Sequence, residues 1–206
     1  MLQVLEYHWY SCCVFVAAKL NISDHLYNGP RSVEALASAT GTHAPSLYRV
    51  LRALASKGIF EEIGTAVFSL TPDATALLSD APGTMKHFIL AEHGELYNPW
   101  GQLLHTVQTG GTAFDQYYKM DLWQYYATNE EAGVNFMQAM TRLTQYSEKA
   151  IVEAYDFSRL NTLVDIGGGN GGLLMSIAKS APQLKGIVFD APYVAEKQSW
   201  LLKRME

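Results

Sequence analysis

A glycine-rich stretch that contains an acidic residue is the part of the sequence with the clearest capacity for chemistry. It runs from Thr162 to Gly172 and reads Thr-Leu-Val-Asp-Ile-Gly-Gly-Gly-Asn-Gly-Gly. The apolar residues around Asp165 suit a buried parallel strand, and the apolar residues after Gly172 recur at helical spacing. The glycines between them let the backbone approach a ligand closely. The stretch therefore predicts a strand, a ligand-binding turn and a helix.

Two cofactor classes fit this turn. Gly167, Gly169 and Gly172 match the G-x-G-x-x-G pattern whose backbone amides meet a dinucleotide pyrophosphate at a helix N-terminus. The same stretch places Asp165 two positions before the first of three alternating glycines, Gly167, Gly169 and Gly171. A carboxylate there would repel a pyrophosphate, but it suits a ligand with an ammonium group, such as S-adenosylmethionine. We therefore favour S-adenosylmethionine over a nicotinamide dinucleotide.

A second acidic residue, Asp190, ends the short β-rich run that begins at Lys185. It follows Gly171 by about 20 residues, the spacing expected of an acid that binds both ribose hydroxyls of a nucleotide. Both cofactor classes carry a ribose, so Asp190 does not distinguish between them. Asp165 and Asp190 could instead only cap loops, but their shared position at strand ends of one βαβ unit favours binding.

Composition indicates a globular protein and argues against general nucleic-acid binding. The 206 residues are 49% hydrophobic and 17% charged, and the formal net charge is −5, whereas a nucleic-acid binder shows a basic excess. Cys12 and Cys13 are adjacent and rarely satisfy disulfide geometry, which favours a reducing compartment. The apolar segment from Trp9 to Ala18 is too short for a membrane span and has no basic residues before it. We expect a cytoplasmic protein without a membrane partner.

The six histidines do not predict a metal site, because none lies at ligand spacing from a cysteine or carboxylate. His87, His93 and His105 fall in a helical region from which one of them could reach a substrate. A surface position or a hydrogen-bonded core position is the commoner role for such residues. We therefore expect no metal cofactor.

The N-terminal part of the chain predicts a helical domain with a winged helix. The pattern indicates a first helix over Met1–Leu26, a second opened by Ser32, a third from near Pro45 to Gly58, and a hairpin over Phe60–Leu70 that turns at Gly64-Thr65. Residues 83–157 predict further helices rich in aromatic side chains, interrupted at Thr109–Thr112 and at Tyr126–Glu130, where Thr128 is the expected N-cap.

A winged helix is also a DNA-reading shape. Its second helix offers Arg49, Arg52 and Lys57, but the hairpin offers Glu61 and Glu62. The phosphate contacts that supply most DNA affinity would therefore be few. We expect a dimerisation or scaffold role and no nucleic-acid partner.

Four stretches together resemble one family of enzymes. They are Leu47–Leu54 with Gly58, Phe136-x-x-x-Met140, Leu163–Gly171 and Gly186–Val194. The sequence resembles the small-molecule O-methyltransferases that include caffeic acid and acetylserotonin methyltransferases. The resemblance implies a mainly α N-terminal winged-helix dimerisation domain, followed by the first part of an α/β Rossmann-like methyltransferase domain. The expected boundaries are 1–100 for the dimerisation domain, 101–158 for a helical linker and substrate-pocket region, and 159–206 for the partial S-adenosylmethionine-binding domain.

The resemblance also implies roles for individual residues and partners. Gly167 and Asp190 match family positions that contact the cofactor. The residues at acceptor-pocket positions are Leu90, Leu96, Phe136 and Met140. The implied reaction transfers the sulfonium methyl group of S-adenosylmethionine to a hydroxyl of a small, aromatic acceptor, with a histidine as general base. A homodimer formed by the N-terminal domain is the implied assembly.

The sequence departs from the family pattern towards its C-terminus. In the family, a His-x-x-x-Asp-Trp type segment with the base, and two further strands with an adenine-contacting aspartate, follow the second strand. The sequence ends at Glu206, and two parallel strands cannot close a Rossmann core. We therefore expect a C-terminally truncated chain that lacks the catalytic half, and we assign no catalytic residue. We also expect residues 160–206 to pack against a partner chain or to be marginally ordered, and a non-catalytic dimerisation or regulatory protein is the alternative function.

Overall fold

The computed structural model describes residues 1–194, which belong to two compact units, one from Met1 to Leu122 and one from Trp123 onward. The expected three-part division at residues 100 and 158 stays a prediction, and its portion after residue 194 lies outside the described residues. Among the helices in the described range, none combines the length and apolarity needed to cross a bilayer.

Two helices open the first unit where the sequence predicted one. Helix α1 spans Leu2–Lys19 and α2 spans Ile22–Leu26. Between them Asn21 adopts the left-handed conformation, with φ 55° and ψ 36°, which asparagine tolerates better than most residues. The prediction of a single helix was wrong, because the left-handed Asn21 interrupts the helix. The change of direction there allows Ile22 and Leu26 of α2 to be fully buried in the core.

A winged helix follows, as predicted. Its elements are β1 (Arg31–Ser32), α3 (Val33–Thr40), α4 (Ala44–Ala55), β2 (Phe60–Gly64) and β3 (Val67–Leu70). The Ser32 hydroxyl caps α3 by accepting a hydrogen bond from the Ala35 N–H at 3.2 Å. The antiparallel sheet has the order β1-β3-β2. Its hairpin turns at Thr65-Ala66, one residue later than predicted.

The core of the first unit lies between these elements. Its fully buried side chains include Ile22, Leu26, Leu36, Leu51, Leu54, Phe60 and Phe68. Burying each such side chain stabilises the fold by about 1.5–3 kcal/mol before conformational entropy is subtracted. The apolar faces of α2, α3, α4 and the hairpin are therefore the main source of this unit's stability.

Short helices complete the first unit. They are a 3-10 turn over Asp73–Leu77, α5 (Lys86–Glu92), α6 (Tyr97–Trp100), α7 (Leu103–Thr109) and α8 (Ala113–Tyr118). The nearly buried Lys86 ammonium donates hydrogen bonds to Asn21, to Ser79 Oγ at 2.5 Å and to Asp24 at 3.3 Å. Burial opposes ionisation of Asp24, but hydrogen bonds from Ser79 and the charge of Lys86 outweigh it and hold the Asp24 pKa below its ordinary value.

The second unit contains the predicted βαβ segment. Its elements are α9 (Leu122–Thr128), α10 (Glu130–Ala154), a 3-10 turn over Phe157–Arg159, β4 (Thr162–Ile166), α11 (Gly172–Ser180) and β5 (Lys185–Phe189). Strands β4 and β5 are parallel, with Thr162 opposite Lys185 and Ile166 opposite Phe189, so α11 is the crossover helix between them. The predicted N-cap at Thr128 was wrong, because Thr128 ends α9 and Asn129 precedes α10.

The two faces of this small sheet differ. On one face, α11 packs its buried Leu174 against Gly186, where an added Cβ would come within 2.8 Å of Leu174 Cδ2. On the other face, large apolar side chains are exposed in the described part of the chain, namely Val164, Ile166, Ile187 and Phe189. The sheet therefore has one tightly packed face and one open apolar face.

Candidate cofactor-binding site

A cavity of 430 Å³ in the second unit brings together most of the predicted site residues. Its wall includes Asp165, Gly167, Gly169, Asp190, Phe136 and Met140. Asp165 comes from β4, the glycines from the β4–α11 turn and Asp190 from the residue after β5, because parallel strands end at the same edge of a sheet. Phe136 and Met140 come from α10.

Three predicted site residues lie elsewhere. Gly171 is outside the cavity wall; it has φ 72° and precedes α11, and an added Cβ would come within 3.2 Å of Val188 Cγ2. Leu90 packs against the core of the first unit. Leu96 lines a separate apolar cavity of 270 Å³ in that unit, together with Trp100 and other residues. The binding roles of these three residues stay predictions.

The glycine turn wraps around the two carboxylates. Gly169 donates its N–H to Asp190 Oδ2 at 2.8 Å, and Gly167 donates its N–H to the Phe189 carbonyl at 2.7 Å. An added Cβ at Gly168 would come within 2.8 Å of the Asp165 carboxyl group. At Gly167 and Gly169, φ is 72° and 54°, and nothing lies within 4 Å of an added Cβ. The turn therefore needs glycine at two positions for its backbone conformation and at Gly168 for space.

The acidic part of the cavity favours a positively charged ligand. Burial raises the pKa of Asp165, and the nearby charge of Asp190 raises it further. Burial, and then the charge of Asp190, also raises the pKa of the Tyr193 hydroxyl. Asp190 accepts a second backbone hydrogen bond, from the Ala191 N–H at 2.7 Å. A cation in this space would offset the repulsion between the carboxylates.

An aromatic cluster forms another part of the wall. The rings of Tyr126 and Phe136 are stacked, with centroids 4.6 Å apart and planes 24° from parallel. Trp123 meets Phe136 edge-on at 6.0 Å, and Met137 and Met140 complete the apolar surface. Flat rings and flexible thioethers suit a planar, apolar ligand.

Several polar residues of the wall were missed by the sequence analysis, among them Thr141, Thr144, Glu148 and Asn170. A signal for two of them was present, because Thr144 and Glu148 continue the four-residue spacing of Phe136 and Met140 along α10. That face changes from apolar to polar, so a search for apolar periodicity alone does not find its end.

The histidines considered above lie in the first unit. His93 packs against Phe15 and Tyr97, and His105 is within 3.4 Å of Thr109 Oγ1. Among residues 1–194, no histidine contributes to the wall of the 430 Å³ cavity, and no group of three or more histidine, cysteine or acidic side chains is arranged to hold a metal ion. The described wall thus offers carboxylates, backbone amides, hydroxyls and aromatic rings for chemistry.

Two family models match the sequence. A model described as an O-methyltransferase dimerisation domain matches residues 2–80, and one described as an O-methyltransferase domain matches residues 100–205, about half of the chain. The chain belongs to the O-methyltransferase family. The predicted resemblance and fold class are therefore confirmed.

Individual O-methyltransferases are similar over almost the whole chain. The phenazine O-methyltransferase PhzM of Lysobacter antibioticus is 41% identical over 196 residues, which are 95% of this chain and 58% of that protein. The solved structure of the mitomycin 7-O-methyltransferase MmcR has a TM-score of 0.91 and 33% identity, covering 98% of this chain and 60% of that one.

A second similar structure contains both a cofactor product and an aromatic compound. It is NcsB1, an O-methyltransferase from neocarzinostatin biosynthesis, in complex with S-adenosylhomocysteine and 1,4-dihydroxy-2-naphthoic acid. Its TM-score is 0.81 and its identity 29%, covering 94% of this chain and 60% of that one. The chain thus spans about three fifths of the length of these relatives.

Proposed function

We propose that the chain is the dimerisation and cofactor-binding part of an S-adenosylmethionine-dependent methyltransferase that acts on a hydroxyl of a small aromatic acceptor. The observation that carries the proposal is the two-part wall of the 430 Å³ cavity. One part is an acidic, glycine-rich turn, and the other is a cluster of aromatic rings and methionines. A cavity of this size is typical of small-molecule sites.

The acidic part fits the cofactor's functional groups. Asp190 has the position and acceptor oxygens to bind ribose hydroxyls, and Asp165 favours the positive charge of the cofactor's methionine portion. Gly167 and Gly169 let the backbone approach the ligand, because the space where a Cβ would lie is open. When bound, the cofactor supplies a sulfonium methyl group for transfer. The positive charge of the bound cofactor would reduce the repulsion between the carboxylates of Asp165 and Asp190, and this would favour binding.

The aromatic part fits the acceptor. Tyr126 and Phe136 present ring faces and edges, while Met137 and Met140 adapt to the acceptor's outline. Methyl transfer needs the acceptor oxygen held in line with the donated methyl group, so these side chains would act by positioning. The dihydroxynaphthoic acid in the NcsB1 complex supports an aromatic hydroxyl compound as the acceptor class.

The proposal assigns the general base to the part of the relatives that this chain does not match. That part amounts to about two fifths of their length. Because no histidine lies in the cavity wall among the described residues, the 206 residues alone should bind cofactor without efficient turnover. The missing groups would come from a matching segment, in the same polypeptide or in another.

The proposed assembly is a homodimer formed by the first unit. The match of residues 2–80 to a dimerisation domain supports it. So does α1, whose exposed apolar side chains include Leu2, Val4, Leu5, Tyr7 and Trp9. An apolar surface of this kind on a terminal helix is typical of a protein interface. Sedimentation equilibrium would measure the dimer directly.

The decisive experiment is calorimetric titration with S-adenosylhomocysteine, the product of the cofactor. We expect micromolar binding by the wild-type chain and a loss of about 1–3 kcal/mol in Asp190→Ala, which removes the ribose acceptors. Asp80→Ala, an exposed aspartate outside the cavity, is the matched control and should bind as wild type. A folded wild-type chain that gives no heat, or that prefers a nicotinamide dinucleotide, would contradict the proposal.

A further inference from the structure

One side chain, that of Asn170, joins the glycine turn to the helix that carries the aromatic wall. Its Nδ2 donates a hydrogen bond to Thr141 Oγ1 on α10 at 2.9 Å. Its Oδ1 accepts a hydrogen bond from the N–H of Gly172, the first residue of α11, at 3.0 Å. Both Asn170 and Thr141 line the cavity. The Asn170 amide thus uses its nitrogen to bind α10 and its oxygen to bind the start of α11.

We propose that Asn170 and Thr141 form a positioning clamp that holds the cofactor-binding turn in its binding shape by anchoring it to α10. The clamp rests on the proposed function, since it takes the turn as the cofactor half of the site. Neither residue is proposed to take part in chemistry. Their role is to fix the distance between the two halves of the cavity.

The turn needs such an anchor because of its composition. Gly167, Gly168, Gly169 and Gly171 leave the free turn with many backbone conformations, and ordering them on ligand binding costs free energy. On the β5 side the turn is already held by the hydrogen bond from Gly169 N–H to Asp190. The next residue, Asn170, holds its other side to α10. The two contacts together restrict the turn before any ligand binds.

The hydroxyl of Thr141 is the necessary group on α10. It donates to the Met137 carbonyl at 2.8 Å and at the same time accepts from Asn170. Valine has nearly the same shape but cannot accept a hydrogen bond, whereas serine keeps the hydroxyl. Thr141 also directly follows Met140 in the helix. A shift of the turn relative to Thr141 is therefore a shift of the cofactor half relative to the acceptor half, and misplacement by about 1 Å lowers transfer rates about 100-fold.

A second side-chain hydrogen bond joins α11 to α10 without involving Asn170 or Thr141. Ser176 Oγ on α11 donates to Glu148 Oε2 on α10 at 2.8 Å. This contact lies two turns further along α10, so loss of the clamp should leave α10 and α11 packed together. Ser176→Ala is consequently a matched control, because it also removes one side-chain hydrogen bond to α10 but leaves Asn170 and Thr141 unchanged.

The test measures S-adenosylhomocysteine affinity by calorimetry, the melting temperature, and amide exchange of residues 167–172 in four chains. Thr141→Val should weaken binding about tenfold and speed exchange in the turn, because a partly buried amide loses its acceptor. Thr141→Ser should restore both to wild-type values. Ser176→Ala should bind as wild type even if its melting temperature falls as far as that of Thr141→Val.

The outcomes separate the clamp from the proposed function. If the wild type binds and Thr141→Val binds equally well, the clamp is wrong and the function stands. If Thr141→Val and Ser176→Ala lose affinity in proportion to their melting temperatures, the contact is only structural and the clamp is again wrong. If the folded wild type does not bind, both proposals fail together.

Discussion

The two units of the chain differ in how completely they bury their apolar residues. In the first unit, Leu51, Leu54 and Phe68 are wholly inaccessible to solvent, and the core extends over four helices and the hairpin. In the second unit, Ile166 is 79% exposed and Phe189 is 65% exposed on the open face of the two-stranded sheet. The first unit has a closed core, and the second has an incompletely covered one.

The well-buried core and the candidate site thus lie in different units of the chain. The closed core belongs to the part that matches a dimerisation domain, and the open sheet belongs to the part with the candidate site. In parallel sheets, both faces are normally covered, so that the side chains on each face are buried. The exposed face of β4 and β5 is therefore an apolar surface of the kind that other elements usually cover, whereas α11 already covers the opposite face.

Truncating a phenylalanine should have very different effects on stability in the two units. Phe68→Ala removes a wholly buried ring from the first core and should cost about 3–5 kcal/mol of unfolding free energy. Phe189→Ala removes a largely exposed ring from the open face and should change stability by about 0.5 kcal/mol or less. Hydrogen exchange under denaturant, read separately for each unit, would measure both. A large loss in Phe189→Ala would show that the open face is covered in solution.

The site in the second unit should be less stable than it could be, because it holds a partly buried carboxyl group near a second one. Burial and Asp190 raise the pKa of Asp165 in the folded chain. Its protonated form is thus favoured by folding, and the resulting stabilisation is lost as pH rises through the raised pKa. Asp165→Asn should therefore raise the melting temperature at pH 7. It should also weaken S-adenosylhomocysteine binding about tenfold, since a charged hydrogen-bond acceptor is lost.

The control for that prediction is the pH dependence. At a pH below the ordinary Asp pKa of 3.8, wild type and Asp165→Asn should be equally stable, because both carry a neutral group. Thermal unfolding at several pH values, followed by circular dichroism, would show the two curves diverging as pH rises. A variant that is less stable than wild type at pH 7 would mean that Asp165 makes a stabilising contact in its ionised form.

The local pattern was enough to predict the turn and its acids, and the structure shows why. Asp165 and Asp190 could be identified because they lie at or near the ends of predicted strands. Those strand ends were visible in the sequence as short apolar runs close to glycine. The winged helix was also predictable, since Ser32 marks a helix start by its capping hydroxyl and Pro45 by its fixed backbone angle. These features depend on neighbours within a few residues along the chain.

Two of the features that were missed depend on distant partners. The break at Asn21 lies beside Lys86, which donates a hydrogen bond to it from 65 residues away in sequence. The contact between Thr141 and Asn170 joins residues 29 positions apart. A threonine within a helix carries no local sign of such a partner, so propensity and periodicity could not identify it.

The smallest expected effect concerns the first unit, where a pH-sensitive group lies outside its closed core. His93 contacts Phe15 on α1 and Tyr97 on α6, and the Tyr97 hydroxyl lies 3.0 Å from His8 Nε2. Burial, and then the charge of His8, lowers the His93 pKa from its ordinary 6.5. The unfolded chain therefore takes up the proton first, so the first unit should lose stability as pH falls below about 6.5.

His93→Gln should reduce that loss, because glutamine keeps a polar side chain without a titration near neutral pH. Unfolding free energies of the first unit at pH 7.5 and 5.5 would give the comparison, with His25→Gln as a control at a histidine on α2. We expect the difference between the two pH values to shrink in His93→Gln and to persist in the control. Equal pH dependence in both variants would place the sensitive group elsewhere, and His8 on the facing side of α1 would be the next residue to change.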